Sequence, residues 1–135
     1  MADEKNKEWP SFYPDELNLP PEGTSPTDGG LYRFVERTPP EKACFKSSHE
    51  QSPLRHRRCF TREARESVYG TSFWETKTAA LNKLNAFPEA LGDKILAYGM
   101  LDDSMGVMKH TLEPEHITVW FRISAKPHLN FNEVK

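Results

Sequence analysis

The residues with the clearest chemical potential form three short islands. The first is Arg33, set inside Leu31-Tyr32-Arg33-Phe34-Val35-Glu36 and followed by Arg37-Thr38-Pro39-Pro40-Glu41. A guanidinium beside a core is costly unless something anionic meets it. Its planar fork matches a phosphate or carboxylate with two hydrogen bonds, so Arg33 is expected at an anion site. The other islands, Gly70-Thr71-Ser72-Phe73 and Glu113-Pro114-Glu115, could complete that site. His116, next to Glu115, could serve as a base or orienting group. A Ser72–His116 nucleophile pair is conceivable, but the sequence singles out no acid to complete it.

Two further groups have weaker patterns. Cys44, His49, His56 and Cys59 follow the spacing Cys-x4-His-x6-His-x2-Cys, which matches no standard structural zinc site, so no metal is expected. The two cysteines are read as reduced thiols. Arg55-His56-Arg57-Arg58, with Arg62 and Arg65, is the densest basic run. It reads first as a solvated loop and helix face, and otherwise as a patch for RNA, DNA or an acidic partner. In that second case Trp74 and Trp120 would be stacking platforms. Neither a phosphate loop nor a dinucleotide glycine fingerprint is present.

The elements that must position these residues follow from period and punctuation. Leu31 to Glu36 reads as a strand, and Thr38-Pro39-Pro40 opens a short helix to Lys46. Residues 47–59 show no clear period. Thr61 to Ser67 is a capped helix, and Tyr69 to Trp74 is extended. Glu75 to Phe87 is the best helix, with Ala79, Ala80, Leu84 and Phe87 on one stripe and Pro88 as its end. Lys94–Leu101, Val107–His110 and His116–Ile123 are strands. In the last, Ile117, Val119, Phe121 and Ile123 alternate with Thr118, Trp120 and Arg122. Pro127 to Phe131 adds a short edge. The expected fold class is α+β, a small, mostly antiparallel sheet with two or three short helices.

At 135 residues one domain is expected, and 36% hydrophobic content allows only a modest core, helped by fifteen aromatic residues. The net charge of −2 hides an asymmetry. Residues 1–30 hold seven acidic and two basic side chains, net −5, and residues 31–135 are net +3. The first thirty residues carry five prolines and end in Gly29-Gly30, so they read as an acidic arm, extended or disordered, before a domain over 31–135. Trp9, Phe12, Tyr13, Leu17 and Leu19 are unusual for a solvating tail. They pad a groove on the domain or dock on a protein partner. There is neither an 18-residue apolar window nor an apolar signal region, so a cytoplasmic location without membrane contact is expected.

Tyr32-Arg33, Arg37, Pro39-Pro40 and Glu41 resemble the first strand of the cholera- and pertussis-toxin type of ADP-ribosyltransferase. The resemblance implies an ADP-ribosyltransferase-like fold with NAD as the substrate, and a nucleic acid or protein as the acceptor of ADP-ribose. It implies that Arg33 holds the phosphates and the nicotinamide side of NAD. Ser72, at the place of that family's Ser-Thr-Ser motif, would order the pocket, with Tyr69, Phe73 and Trp74 flanking nicotinamide. Glu115 would stabilise the oxocarbenium-like centre, and Glu113 would help activate the acceptor.

The chain from Leu31 onward also resembles a set of short bacterial proteins with no assigned function. The shared pattern is Tyr32-Arg33, Pro39-Pro40, Phe45-Lys46-Ser47-Ser48-His49, Gly70-Thr71-Ser72-Phe73-Trp74 and His116-Ile117-Thr118-Val119-Trp120. It requires neither Glu113 nor Glu115. The rival expectation is a non-catalytic regulatory module (phage-, defence- or toxin–antitoxin-related) that binds a partner through its arm and basic run.

Overall fold

The structure is a computed structural model and describes residues 8–134. Seven strands make one sheet: β1 (Ser25–Pro26), β2 (Gly29–Val35), β3 (Thr71–Trp74), β4 (Ile95–Leu101), β5 (Gly106–His110), β6 (His116–Phe121) and β7 (Phe131–Glu133). Their order is β1-β5-β6-β3-β2-β4-β7, and every pairing is antiparallel. The described residues hold four short α-helices, where two or three were expected: α1 (Ser48–Gln51), α2 (Arg62–Ser67), α3 (Lys77–Ala86) and α4 (Pro88–Leu91). The single turn α1, inside the stretch that showed no period, is held by a capping box between Ser47 and Glu50. Thr61 and Thr76 cap α2 and α3. Pro88 ends α3, as expected, but also opens α4.

Both faces of the sheet are covered. On one, Leu31, Val35, Phe73, Ala97, Ile117 and Val119 form the main core, closed by Phe45 from the 3-10 turn Lys42–Phe45. On the other, Phe34 and Trp74 pack against Ala79 and Ala80 of α3. The alternation expected in β6 is present, yet its polar face is also buried: Thr118 is 1% and Trp120 0% exposed. The Trp120 indole Nε1 donates to the Glu66 carbonyl of α2 at 3.1 Å, which satisfies the polar atom of an otherwise apolar ring.

From Glu8 onward, the arm expected over residues 1–30 is part of the fold. Leu17 is buried with Val68 and Tyr69, and Phe12, Tyr13 and Leu19 pack on that cluster. Glu8 pairs with Arg122, Trp9 lies 5.1 Å from the same guanidinium, and β1 pairs with β5. The five apolar residues noted in the arm supply the surface that holds it.

The feature that shapes the site is a parting of two neighbouring strands. β2 pairs with β4 over seven residues and β3 with β6 over four, but β2 and β3 share a single register pair, Tyr32 opposite Trp74. Beyond it the strands separate, and the chain from Lys42 to Ser48 fills the wedge. The Thr71 hydroxyl donates to the Phe45 carbonyl at 2.9 Å, and the Ser48 amide to the Gly70 carbonyl at 3.2 Å.

Candidate functional site

Arg33 spans the wedge. Its Nε donates to the Cys44 carbonyl at 2.8 Å, one Nη to the Ser72 carbonyl at 2.7 Å and the other to the Lys46 carbonyl at 3.5 Å. The guanidinium sits 5.8 Å from the Phe45 ring and 5.7 Å from the Phe73 ring. Three carbonyl dipoles and two ring faces therefore meet the charge, where an anion was expected. Burial lowers its pKa to about 10, so it stays protonated at neutral pH. A guanidinium has five N–H groups, and these contacts leave two free.

Arg33, Ser72 and Trp74 all line a cavity of about 250 Å3 in the wedge. Lys46, Arg55, Lys83 and Lys94 complete a wall of five cations, and no carboxylate lines it. A second cavity, about 280 Å3, shares Ser48, Arg55, Ser72, Trp74 and Lys83 with the first and adds Glu113 and His116. A third, about 420 Å3, shares Trp74 and Lys83 and adds Glu115. Through these shared lining residues the three cavities adjoin as a groove beside Ser72 and Trp74 of β3 and His116 of β6. A concavity of about 550 Å3 lies against Phe45 and Phe121 of the main core face, roofed by Pro10 and Phe12, and holds none of the expected site residues.

The expected residues divide. Arg33, Ser72 and Trp74 share one cavity, and Ser72, Trp74 and Glu113 share the next. Phe73 is not in the groove. It is 0% exposed and packs on Phe45, Phe121 and Phe131, because strand alternation turns it to the face opposite Ser72 and Trp74. Tyr69 is buried with Leu17 and Val68, its ring against His49 and Tyr13. Glu115 lies at the far end of the groove, away from Arg33. Its carboxylate accepts the Thr76 hydroxyl at 3.1 Å, and Thr76 caps α3. Glu113 pairs with Lys83 at 2.7 Å. Both side chains are partly exposed, so this pair contributes about 0–1 kcal/mol and can exchange for a ligand.

No family model, curated protein or solved structure matches this chain.

His116 lines the second cavity beside Glu113. It stands opposite Trp74 in the β3–β6 register, its ring 4.8 Å from the indole. Its Nδ1 lies 3.1 Å from the Thr111 carbonyl and 3.0 Å from the Thr111 hydroxyl. The carbonyl only accepts, so donation from Nδ1 to it corresponds to the tautomer with Nε2 bare. Burial lowers the His116 pKa below its ordinary 6.5 and keeps the ring neutral at pH 7; Glu113 opposes that shift and Lys83 adds to it.

Apart from Arg55, which lines the groove, the basic run makes a separate surface. Arg55–Arg58 is an exposed 3-10 turn, and Phe60, just after it, is 94% exposed. Among the described residues no cluster of three or more His, Cys, Asp or Glu could hold a metal ion. No described helix is long and apolar enough to cross a membrane.

Proposed function

We propose that the groove binds NAD and that the protein is an ADP-ribosyltransferase-like enzyme, transferring ADP-ribose to an acceptor or to water. The observation that carries this reading is the wedge cavity itself. Five cations line a space that Ser72 and Trp74 also border, two of them, Lys83 and Lys94, paired with Glu113 and Glu36 outside it. Such a wall suits a diphosphate, met chiefly by Lys46 and Arg55, with Lys83 and Lys94 exchanging their carboxylates for it and Arg33 adding its buried charge. The three islands of the sequence fall on or beside the adjacent strands β2, β3 and β6, which supports the toxin-like order of motifs. The fold would then be a small ADP-ribosyltransferase-like one. In this reading Ser72 orders the ribose, and Glu113, released from Lys83, faces the positive charge that develops at the ribose carbon.

The test is nicotinamide release from NAD, with calorimetry of NAD binding to the same protein. Lys46→Ala combined with Lys94→Ala is expected to weaken binding about tenfold or more, through lost charge-assisted contacts. Glu113→Gln is expected to lower turnover with little change in binding. Neither binding nor turnover by the wild type overturns the proposal.

A second reading has one observation in its favour. Phe60 stands almost fully exposed among Arg57, Arg58 and Arg62, an arrangement that suits a stacked base beside a phosphate chain. It makes the protein a binding module for single-stranded nucleic acid, using the basic run while the described part of the arm packs on the body. Fluorescence anisotropy with a 12-nucleotide single strand tests it. Phe60→Ala should weaken binding about fivefold or more while the salt dependence stays the same. Unchanged affinity refutes the stacking role.

A further inference from the structure

We propose that His116 is the proton acceptor of the site: its Nε2 takes the proton from the water or hydroxyl that attacks the ribose C1′ of NAD. This rests on the NAD reading above and assigns a role that neither Glu113 nor Glu115 is placed to fill.

Three features of the geometry carry it. The first is the tautomer. Thr111 receives the Nδ1 proton through its carbonyl, so the imidazole cannot turn that nitrogen to a ligand, and the basic nitrogen is Nε2. The Thr111 hydroxyl also lies 2.6 Å from that of Thr118, which fixes Thr111 in turn. The second is direction. His116 is 6% exposed, yet it lines the cavity with Ser72 and Glu113. Nε2 has no protein partner among the described residues and is not among the atoms sealed from solvent. The third is rigidity. The ring is held edge-on against Trp74, so its lone pair is aimed before any ligand arrives.

By contrast, the two acids hold other partners in the resting site. Glu115 holds the helix cap through Thr76, and Glu113 is tied to Lys83 at the rim. Glu115 precedes β6 and lines the third cavity, whereas His116, the first residue of β6, lines the second.

The step balances without a further reactant. The bond from C1′ to the nicotinamide nitrogen breaks, and its electron pair neutralises the pyridinium. The acceptor oxygen forms a new bond to C1′, and its proton passes to Nε2, leaving an imidazolium that returns the proton to solvent. The charged and titratable groups around His116 are Glu113 from the β5–β6 turn, Lys83 from α3, and Arg55 and Cys59 from the segment ahead of α2. Lys83 and burial keep the resting ring neutral, and Glu113 stabilises the imidazolium once it forms.

The experiment is the pH dependence of kcat/KM for nicotinamide release by wild type, His116→Gln and His116→Ala, the last with and without added imidazole. Nitrogen NMR of the histidines in the wild type gives the tautomer and titration of His116 directly, whether or not a variant folds. Activity in the wild type should rise with pH through a His116 pKa below 6.5. His116→Ala should lose about 10²- to 10⁴-fold and recover in part with imidazole. His116→Gln should lose the acid limb of the profile.

A wild type that turns over NAD while His116→Ala matches it, or fails to respond to imidazole with the acid limb unchanged, overturns this role and leaves the NAD reading standing. A proton on Nε2 of the neutral ring also overturns it. A wild type that neither binds nor consumes NAD overturns both.

Discussion

Arg33→Ala is the most informative single perturbation, because the same side chain closes the fold and faces the groove. Its removal strips donors from three carbonyls. That of Cys44 is buried, and an unsatisfied buried acceptor costs about 1–3 kcal/mol. Those of Ser72 and Lys46 are partly buried, where water replaces much of the loss. Lost packing of the stem adds to this, since the guanidinium end lies against Phe45 and Phe73.

Together these give a destabilisation of about 3–5 kcal/mol, a large part of the stability of a small domain. Urea unfolding followed by tryptophan fluorescence should show the midpoint falling by about 2 M at an unchanged slope. Arg33→Lys should lose roughly half as much, because one ammonium reaches fewer of the carbonyls. Holding the charge is itself costly, as the lowered pKa shows, so Arg33→Met separates the two effects. A Met variant more stable than wild type, or an Ala variant within about 1 kcal/mol of it, refutes the staple.

Thr76→Ala removes the cap of α3 and should cost about 1 kcal/mol by urea unfolding, whereas Glu115→Ala, exposed, should cost under about 0.5 kcal/mol. A large loss for Glu115→Ala contradicts its placement. Leu17→Ala should destabilise by about 2–4 kcal/mol, since Leu17 is 5% exposed; under about 1 kcal/mol, the N-terminal segment is only loosely attached. Burial lowers the His116 pKa in the fold, so the unfolded chain takes up that proton first as pH falls. The stability present above pH 6.5 should therefore decline as pH drops toward the folded pKa, with a flatter decline in His116→Gln. A midpoint that rises on acidification is the opposite of this result.

Much of the architecture was legible from local pattern. Val119 alternating with Trp120, the threonines ahead of α2 and α3, and the apolar run interrupted by Arg33 each point to the element that forms. What the sequence concealed depends on register. Phe73 is adjacent to two groove residues, and one step along a strand puts it on the opposite face. The parting of β2 from β3 has no local signal, because the segment that fills it, residues 42–48, is defined by its carbonyls rather than its side chains. The apolar content of the arm pointed to a groove on the domain or to a partner, but its prolines and lack of period gave no register for where it packs.

The edges of the sheet have a consequence for how the molecule avoids its own copies. The order places β1 and β7 outermost, and these strands are two and three residues long, one of them ending in Pro26. Behind them lie β5 and β4, of five and seven residues, and β4 exposes Tyr98 and Met100. The segments near the two ends of the chain thus shield the strands best able to recruit an intruding neighbour. Removing β1 or β7 would bare the longer strand behind it as an edge on which another strand could pair.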